Sequence, residues 1–199
     1  MRESGNTARG PYVVTEQSYD LAPHNEARLL PIMTECASKT PAVEVGGIIL
    51  SYPDGSARLL ATVTGDATLV RPPCYSYCYL EQELTDSSAY IEFHSHPKWA
   101  TEFSEQDIKR NRHVIDHIRG YLAWSPSHRV QSMQQSDQRY FVYNYVVNPD
   151  PRWTTDVYTR SGVCLTVHSQ LDAIIGRILA EPDLQRRLIG KLCQLGQSQ

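Results

Sequence analysis

Two histidines separated by one residue are the strongest sign of chemistry in this sequence. The tetrapeptide His-Ser-His-Pro occupies residues 94–97, after the segment AYIEF. In a strand over residues 89–96, His94 and His96 share one face because side chains alternate between the faces. Their imidazoles can converge on one point, and zinc binds such nitrogen ligands in a tetrahedron. Considered alone, two such histidines are more often solvent-facing strand residues.

A carboxylate downstream could complete the set of ligands. Asp107 follows His96 by eleven residues, in the first turn of the next predicted helix. A loop of that length can bring the carboxylate back to the histidines. A structural interpretation competes with this one, because Ser104 and Asp107 have the S-x-x-D spacing of a helix capping box. The two interpretations are compatible if Asp107 turns toward the metal.

A hydrolytic zinc site also needs a proton acceptor and donors for the developing oxyanion. Glu44 is a candidate for the base, since it begins the apolar segment VEVGGIIL, where a carboxylate is otherwise out of place. Ser104 could donate its hydroxyl to the oxyanion. Considered alone, Glu44 would be an ordinary surface carboxylate at the start of a strand.

Together these residues resemble the signature of the JAB/JAMM (MPN-domain) metallopeptidases, within which the bacterial-type branch is the most similar. That signature is a glutamate at the head of a strand, then H-x-H-P, then S-x-x-D, with seven residues, the proline included, between the second histidine and the serine. Here Glu44 is followed by His-Ser-His-Pro at 94–97, seven residues from 97 to 103, and Ser104 to Asp107. The order and the spacings agree with the family pattern across residues 44–107.

The resemblance implies a zinc-dependent peptidase or isopeptidase with a curved mixed sheet flanked by helices. The zinc ligands would be His94, His96 and Asp107, with Glu44 as general acid/base and Ser104 stabilising the oxyanion. The partner would be a protein or peptide substrate, for which a ubiquitin-like conjugate is one candidate. Two alternatives are a toxin or effector domain with the same zinc site, and a non-catalytic MPN-type scaffold. The complete ligand set argues against the scaffold.

Four neighbouring residues are further candidates for the site. Glu92 shares the face of the histidines and could ligate or orient, although a supporting or surface position is favoured. His113 and His117 have zinc-compatible i, i+4 spacing but lack the glutamate of H-E-x-x-H, so we expect both to be exposed. Trp99 is predicted either to pack over the loop of the site or to border a substrate groove.

The periodicity of the chain predicts an α/β or α+β class with one central sheet. The domain division expected is an irregular leader over 1–22, a JAB/MPN-like domain over 23–150, and a C-terminal helical extension over 151–199 packed on it. The predicted helices cover 24–40, 104–120 with Gly120 as C-cap, 165–180 and 182–195. The predicted strands cover 42–52, 56–65, 89–96, 121–125, 129–134 and 139–147.

Composition excludes several classes of function. The 199 residues are 41% hydrophobic, and a net charge of −3 provides no basic field for nucleic acid. There is no run of eighteen apolar residues and no apolar signal core at the N-terminus, so we expect a cytoplasmic protein without a membrane span. The five cysteines are scattered, and the spacing of Cys74 and Cys78 is not that of a zinc knuckle.

Overall fold

The computed structural model describes residues 12–66, 70, 84, 86–96, 102–124, 139–148, 158–169, 174–175 and 178–196. Within these ranges, six strands and three helices are assigned. The strands are β1 (Tyr12–Ser18), β2 (Val45–Ser51), β3 (Ala57–Thr64), β4 (Ala89–Ser95), β5 (Arg139–Val147) and β6 (Tyr158–Ser169). The helices are α1 (Glu26–Ser38), α2 (Glu105–Trp124) and α3 (Pro182–Gly196).

The six strands form one mixed sheet in the order β1-β6-β5-β4-β2-β3. All neighbours are antiparallel except β4 and β5, which are parallel. A parallel pair requires a crossover connection, and α2 lies in the chain between these two strands. The predicted mixed α and β class with a central mixed sheet is therefore confirmed.

Helices α1 and α2 cover opposite faces of the sheet and bury a separate apolar cluster on each. On one face, Leu29 and Met33 of α1 pack with Ile91 and Phe93 of β4. The other face carries the α2 cluster, which includes Ile115, Ile118, Leu122, Ile48, Tyr90, Val142 and Leu165. Strand β4 is consequently buried on both faces along its whole length. Polar side chains in this strand are therefore enclosed by the fold rather than exposed to solvent.

The glycine pair that follows Glu44 has a packing role. Gly47 is the register partner of Phe93, and Gly46 is the partner of His94. A Cβ atom at Gly47 would lie 2.5 Å from Cε1 of Phe93 and 2.9 Å from the carbonyl oxygen of Ala61. Only glycine therefore lets the Phe93 ring lie flat over β2, which keeps β2 and β4 in the register that aligns Glu44 with the histidines.

The prediction for the end of α2 was wrong. Gly120 does not end this helix, and its φ is not positive, so it is no C-cap. Residues 121–124, predicted to start a strand, continue the helix because Tyr121, Leu122 and Ala123 are buried against the sheet. Ile108, in the first turns of the same helix, is 58% exposed, although its spacing from Ile115 and Ile118 predicts that all three share one apolar stripe. Burial of the last turn therefore outweighs the β propensity of these residues.

Both predicted flanking segments contribute strands to the sheet, contrary to their expected irregular and helical character. Residues 12–18 of the predicted leader form the edge strand β1, which pairs with β6 over its whole length. Residues 158–169 form β6, so the helix predicted from residue 165 was wrong at its start. Alternating Val163, Leu165 and Val167 are buried against the α2 side, and this burial selects a strand. The sheet therefore crosses both predicted domain boundaries.

The helix predicted over 182–195 is confirmed as α3. Helical backbone also occurs at 174–175 and 178–180. The expected packing of this segment on the domain is not seen in its described side chains. Five large apolar residues are instead exposed: Ile174, Ile175, Leu179, Leu188 and Ile189. The predicted strand over 129–134 lies outside the described residues.

Candidate metal centre

The C-terminal end of β4 brings the two histidines together as the alternation predicted. Nε2 of His94 lies 3.1 Å from Nε2 of His96, and the ring centroids are 4.8 Å apart. His96 lies just beyond the strand, where its backbone N–H donates to the carbonyl oxygen of Val147 at 3.2 Å. This bond continues the contact with β5 and fixes the backbone at His96. Both side chains are mostly buried, with 11% and 14% exposure.

The first turn of α2 places the Asp107 carboxylate against both imidazoles. Oδ1 of Asp107 lies 3.2 Å from Nε2 of His94, and Oδ2 lies 3.6 Å from Nε2 of His96. With one ligand atom taken from each residue, the three atoms all lie within 4.8 Å of one another. Three residues from two different elements therefore converge on one small volume, as predicted.

The same aspartate also caps its helix. The backbone N–H of Ser104 donates to Oδ2 of Asp107 at 2.7 Å, and the N–H of Asp107 donates to Oγ of Ser104 at 3.2 Å. These reciprocal bonds satisfy donors at the start of the helix, as in a capping box. The capping box predicted from S-x-x-D is therefore present, and it is compatible with an Asp107 carboxylate that faces the histidines. The cap limits the rotamers of Asp107 while the carboxylate faces the histidines.

The donor set fits a tetrahedral metal such as zinc. Ligand atoms at 2.0–2.1 Å from zinc stand roughly 3.3 Å apart in a tetrahedron. The nearest approaches between these groups are 3.1, 3.2 and 3.6 Å, the last two through different oxygens of Asp107, and with one atom from each residue all separations are within 4.8 Å. Two imidazoles with one carboxylate also suit other transition metals, so the geometry defines a metal-sized site rather than zinc specifically.

The local electrostatics keep Asp107 ionised. Burial alone would raise the pKa of Asp107, but hydrogen bonding to His94, His96 and Ser104 outweighs burial and holds that pKa far below its usual value. A carboxylate that stays ionised across the physiological range is available as a metal ligand without losing a proton first.

Glu44 stands at the head of β2, beside the histidines. The register of Gly46 with His94 continues toward Glu44 and His96, which extends the site across two neighbouring strands. The backbone of Glu44 is fixed from both sides, since its N–H donates to Asp66 at 2.7 Å and its carbonyl accepts from Gly65 at 2.8 Å. Oε2 of Glu44 accepts the backbone N–H of Val70 at 2.9 Å. The carboxylate is therefore held in a defined place.

The environment of Glu44 shifts its proton affinity upward. Burial raises the pKa of Glu44, and this exceeds the lowering caused by His96, His94 and the Val70 N–H. Glu44 thus lies close enough to both histidines and to Asp107 for their charges to affect its pKa. A carboxylate with a raised pKa is better matched to accept and return a proton near neutral pH.

Ser95, between the two histidines, is a residue that the sequence reasoning missed. Its side chain is fully buried, and its Oγ accepts the backbone N–H of Val45 at 2.9 Å. This hydrogen bond links Val45, which follows Glu44, to Ser95, which lies between His94 and His96. The feature that could have indicated the role of Ser95 is its type: it is a small polar residue inside a strand that is buried on both faces. The ring of Phe103 also lies near His94, with centroids 6.5 Å apart.

The remaining candidates have separate outcomes. Glu92 is buried and pairs with Arg110, with Arg110 Nε and Glu92 Oε1 2.7 Å apart, and it does not belong to the group of possible metal ligands. His113 is exposed and His117 is half-buried, and neither joins the cluster of metal-ligating groups found among the described residues. Trp99, Cys74 and Cys78 lie outside the described residues.

Comparison of the chain with protein-family models, with curated proteins and with solved structures yields no match. Within the described ranges, none of the helices combines the length and the apolar character needed to cross a membrane. Any functional conclusion therefore depends on the chemistry of the residues described above.

Proposed function

We propose that this protein is a zinc-dependent peptidase or isopeptidase, with a protein or peptide as its substrate. The observation that supports this proposal most is the convergence of His94, His96 and Asp107 beside Glu44. The resemblance of their order and spacing to the JAB/JAMM signature favours a carbonyl-hydrolysing reaction over a purely structural metal. A ubiquitin-like conjugate is one candidate substrate.

In this proposal His94, His96 and Asp107 hold the metal. When bound, zinc supplies Lewis acidity, which lowers the pKa of water and polarises the scissile carbonyl. Burial of the three side chains limits competing water. The cap at Ser104 holds Asp107 in place before the metal arrives, so little reorganisation accompanies binding.

Glu44 acts as the general base and then as the general acid. Its carboxylate accepts a proton from the attacking water and later returns it to the leaving amine. The Val70 N–H bond orients one carboxylate oxygen, and the raised pKa of Glu44 makes return of the proton easier. Ser95 keeps this base in register with the histidines through its bond to Val45.

Ser104 is the candidate donor to the oxyanion. Its Oγ accepts the Asp107 N–H, and a hydroxyl that accepts one hydrogen bond still has its own proton to donate. Ser104 is exposed at the edge of the site, so its hydroxyl can reach a substrate carbonyl. The cap and the oxyanion role are thus compatible in one side chain.

The substitution E44Q tests the proposal most directly. Wild-type and variant would be assayed with a linear peptide library and with an isopeptide-linked ubiquitin dimer, after metal analysis of both proteins. We expect E44Q to keep stoichiometric zinc and to lose turnover by about 10²–10⁴-fold, the usual contribution of a general base.

The matched control is E105Q, which removes an exposed carboxylate in the first turn of α2. This variant should retain wild-type turnover. A wild-type protein without bound zinc, or an E44Q variant that cleaves at the wild-type rate, would contradict the proposed function.

A further inference from the structure

An ion pair between the buried carboxylate of Glu92 and the partly exposed guanidinium of Arg110 lies next to the predicted metal ligands. Nε of Arg110 donates to Oε1 of Glu92 at 2.7 Å. Glu92 is only 4% exposed, in a strand whose other face is filled by Ile91 and Phe93. Charged side chains are rarely buried to this extent unless they are paired, so the contact with Arg110 is what allows Glu92 to be there.

The pair joins the same two elements as the metal ligands do. Glu92 precedes His94 by two residues and shares its face of β4, whereas Arg110 follows Asp107 by three residues and lies on the same side of α2. Two contacts therefore connect the strand to the helix about one turn apart: Asp107 with His94, and Arg110 with Glu92. A helix held at two such points can neither rotate nor slide freely relative to the strand.

Stability does not explain the pair. Within the described part of the chain, Oε2 of Glu92 is buried without a hydrogen-bond partner, and so is Oδ1 of Asn144, its neighbour in register on β5. A buried charged oxygen without a donor is unfavourable. Replacing such a pair with apolar residues of similar size is often neutral or stabilising. What the pair provides is a directional contact, which apolar packing would lack.

We propose that Glu92 and Arg110 are positioning residues that hold the first turn of α2 so that Asp107 faces His94 and His96. This inference rests on the proposed metal centre. The pair acts through Asp107 and does not touch the metal. Supporting residues of this kind set the orientation of ligands and typically change metal affinity by about 10–100-fold.

The double variant E92M/R110M tests the proposal, because it replaces the pair with apolar side chains of similar length. Its metal-free form should unfold at the same temperature as the wild type or higher, while its zinc affinity, measured by chelator competition, falls by about 10–100-fold. If the pair were purely structural, the double variant would unfold at a lower temperature than the wild type and would keep its zinc affinity. The Co²⁺-loaded variant should also show weaker d–d absorption, since loss of the aspartate ligand removes tetrahedral geometry.

The matched control is E16M/R112M. Arg112 connects the same helix to β1 through Glu16, at 2.8 Å between Nη1 and Oε1. This control removes a pair of the same type that does not align Asp107, and it should leave zinc affinity unchanged. Equal zinc affinity in E92M/R110M and in the wild type would overturn the positioning role, as would an equal loss in both double variants.

If E92M/R110M does not fold, the single substitution R110K decides the question. Lysine keeps the charge but lacks the planar guanidinium donor, so zinc affinity should still fall while the fold persists. Unchanged affinity in R110K would then overturn the inference. A wild-type protein that binds no zinc would instead overturn the metal centre itself and, with it, this role of the pair.

Discussion

Two half-buried carboxylates on opposite faces of the sheet show how differently the same chemical group can be surrounded. Glu26, at the start of α1, accepts from the hydroxyl of Tyr145 at 2.5 Å and from Arg160 at 2.6 Å through Oε1. Its Oε2 accepts from the hydroxyl of Tyr158 at 3.3 Å. Each oxygen of Glu26 thus has a protein donor, and the group fastens α1 to β5 and β6.

Asp107, on the α2 side, has a different kind of environment. It accepts one backbone N–H from Ser104, and its other contacts are with the Nε2 atoms of His94 and His96, which can donate a hydrogen bond or bind a metal. Imidazole nitrogens that approach one another and a carboxylate are all lone-pair donors when they are deprotonated. The Glu26 network is complete within the protein, whereas the Asp107 cluster is suited to receive a cation. That difference distinguishes a structural carboxylate from a candidate metal ligand.

The largest expected effect concerns zinc-dependent stability. Zinc at a thousand times its dissociation constant should stabilise the wild-type protein by about 4 kcal/mol, because it binds the folded state only. The substitutions H96A and D107A should each abolish this stabilisation, as measured by thermal unfolding with and without zinc.

The substitution E26Q provides the contrast on the other face. Zinc should stabilise E26Q by as much as it stabilises the wild type, since Glu26 belongs to the α1 network. Zinc-dependent stabilisation that survives in H96A would show that the histidine cluster does not bind the metal and would remove the difference between the two carboxylates.

The next effect concerns the metal-free protein. Replacing Glu26 with Gln removes the charge that Arg160 and Tyr145 contact, and hydrogen bonds to a charged group contribute more than neutral ones. E26Q should therefore lower the free energy of unfolding by about 2 kcal/mol. Urea denaturation in the presence of a chelator would measure this change.

The same helix offers a matched control in Glu35. Its contact with Lys39, at 3.0 Å, is fully on the surface, so E35Q should leave the free energy of unfolding unchanged. If E26Q and E35Q behave alike, the Glu26 network does not stabilise α1 in the way that its geometry indicates.

The convergence of His94, His96 and Asp107 could be predicted from the sequence, for a physical reason. Alternation along β4 fixes the face shared by His94 and His96, and the capping box fixes where Asp107 enters the helix. Both are local rules that act over few residues. Glu44 was a candidate because a carboxylate is out of place at the start of an apolar segment, and the pairing of Gly46 with His94 places the head of β2 beside the histidines.

Contacts between distant segments could not be predicted in this way. Strand β1 is an edge strand with the polar sequence TEQS, and only its pairing with β6 reveals it. The apolar spacing after residue 165 suits a helix as well as a strand until the α2 face buries Leu165 and Val167. The pairing of Glu92 with Arg110 depends on the rotation of α2, which no local pattern encodes.

The smallest expected effect concerns whether the substitution E44Q raises or lowers the stability of the metal-free protein. Burial raises the pKa of Glu44 in the folded protein, so the folded state binds this proton more tightly than the unfolded state does. The resulting stability is fully present below the unfolded pKa, about 4.3, and is lost as the pH rises through the higher folded pKa.

Glutamine resembles the protonated form of Glu44. Metal-free E44Q should thus match the wild type at low pH and exceed its stability at neutral pH, whereas E26Q is less stable there. Urea denaturation across pH would measure both, and a difference between wild type and E44Q that does not grow with pH would contradict the raised pKa of Glu44.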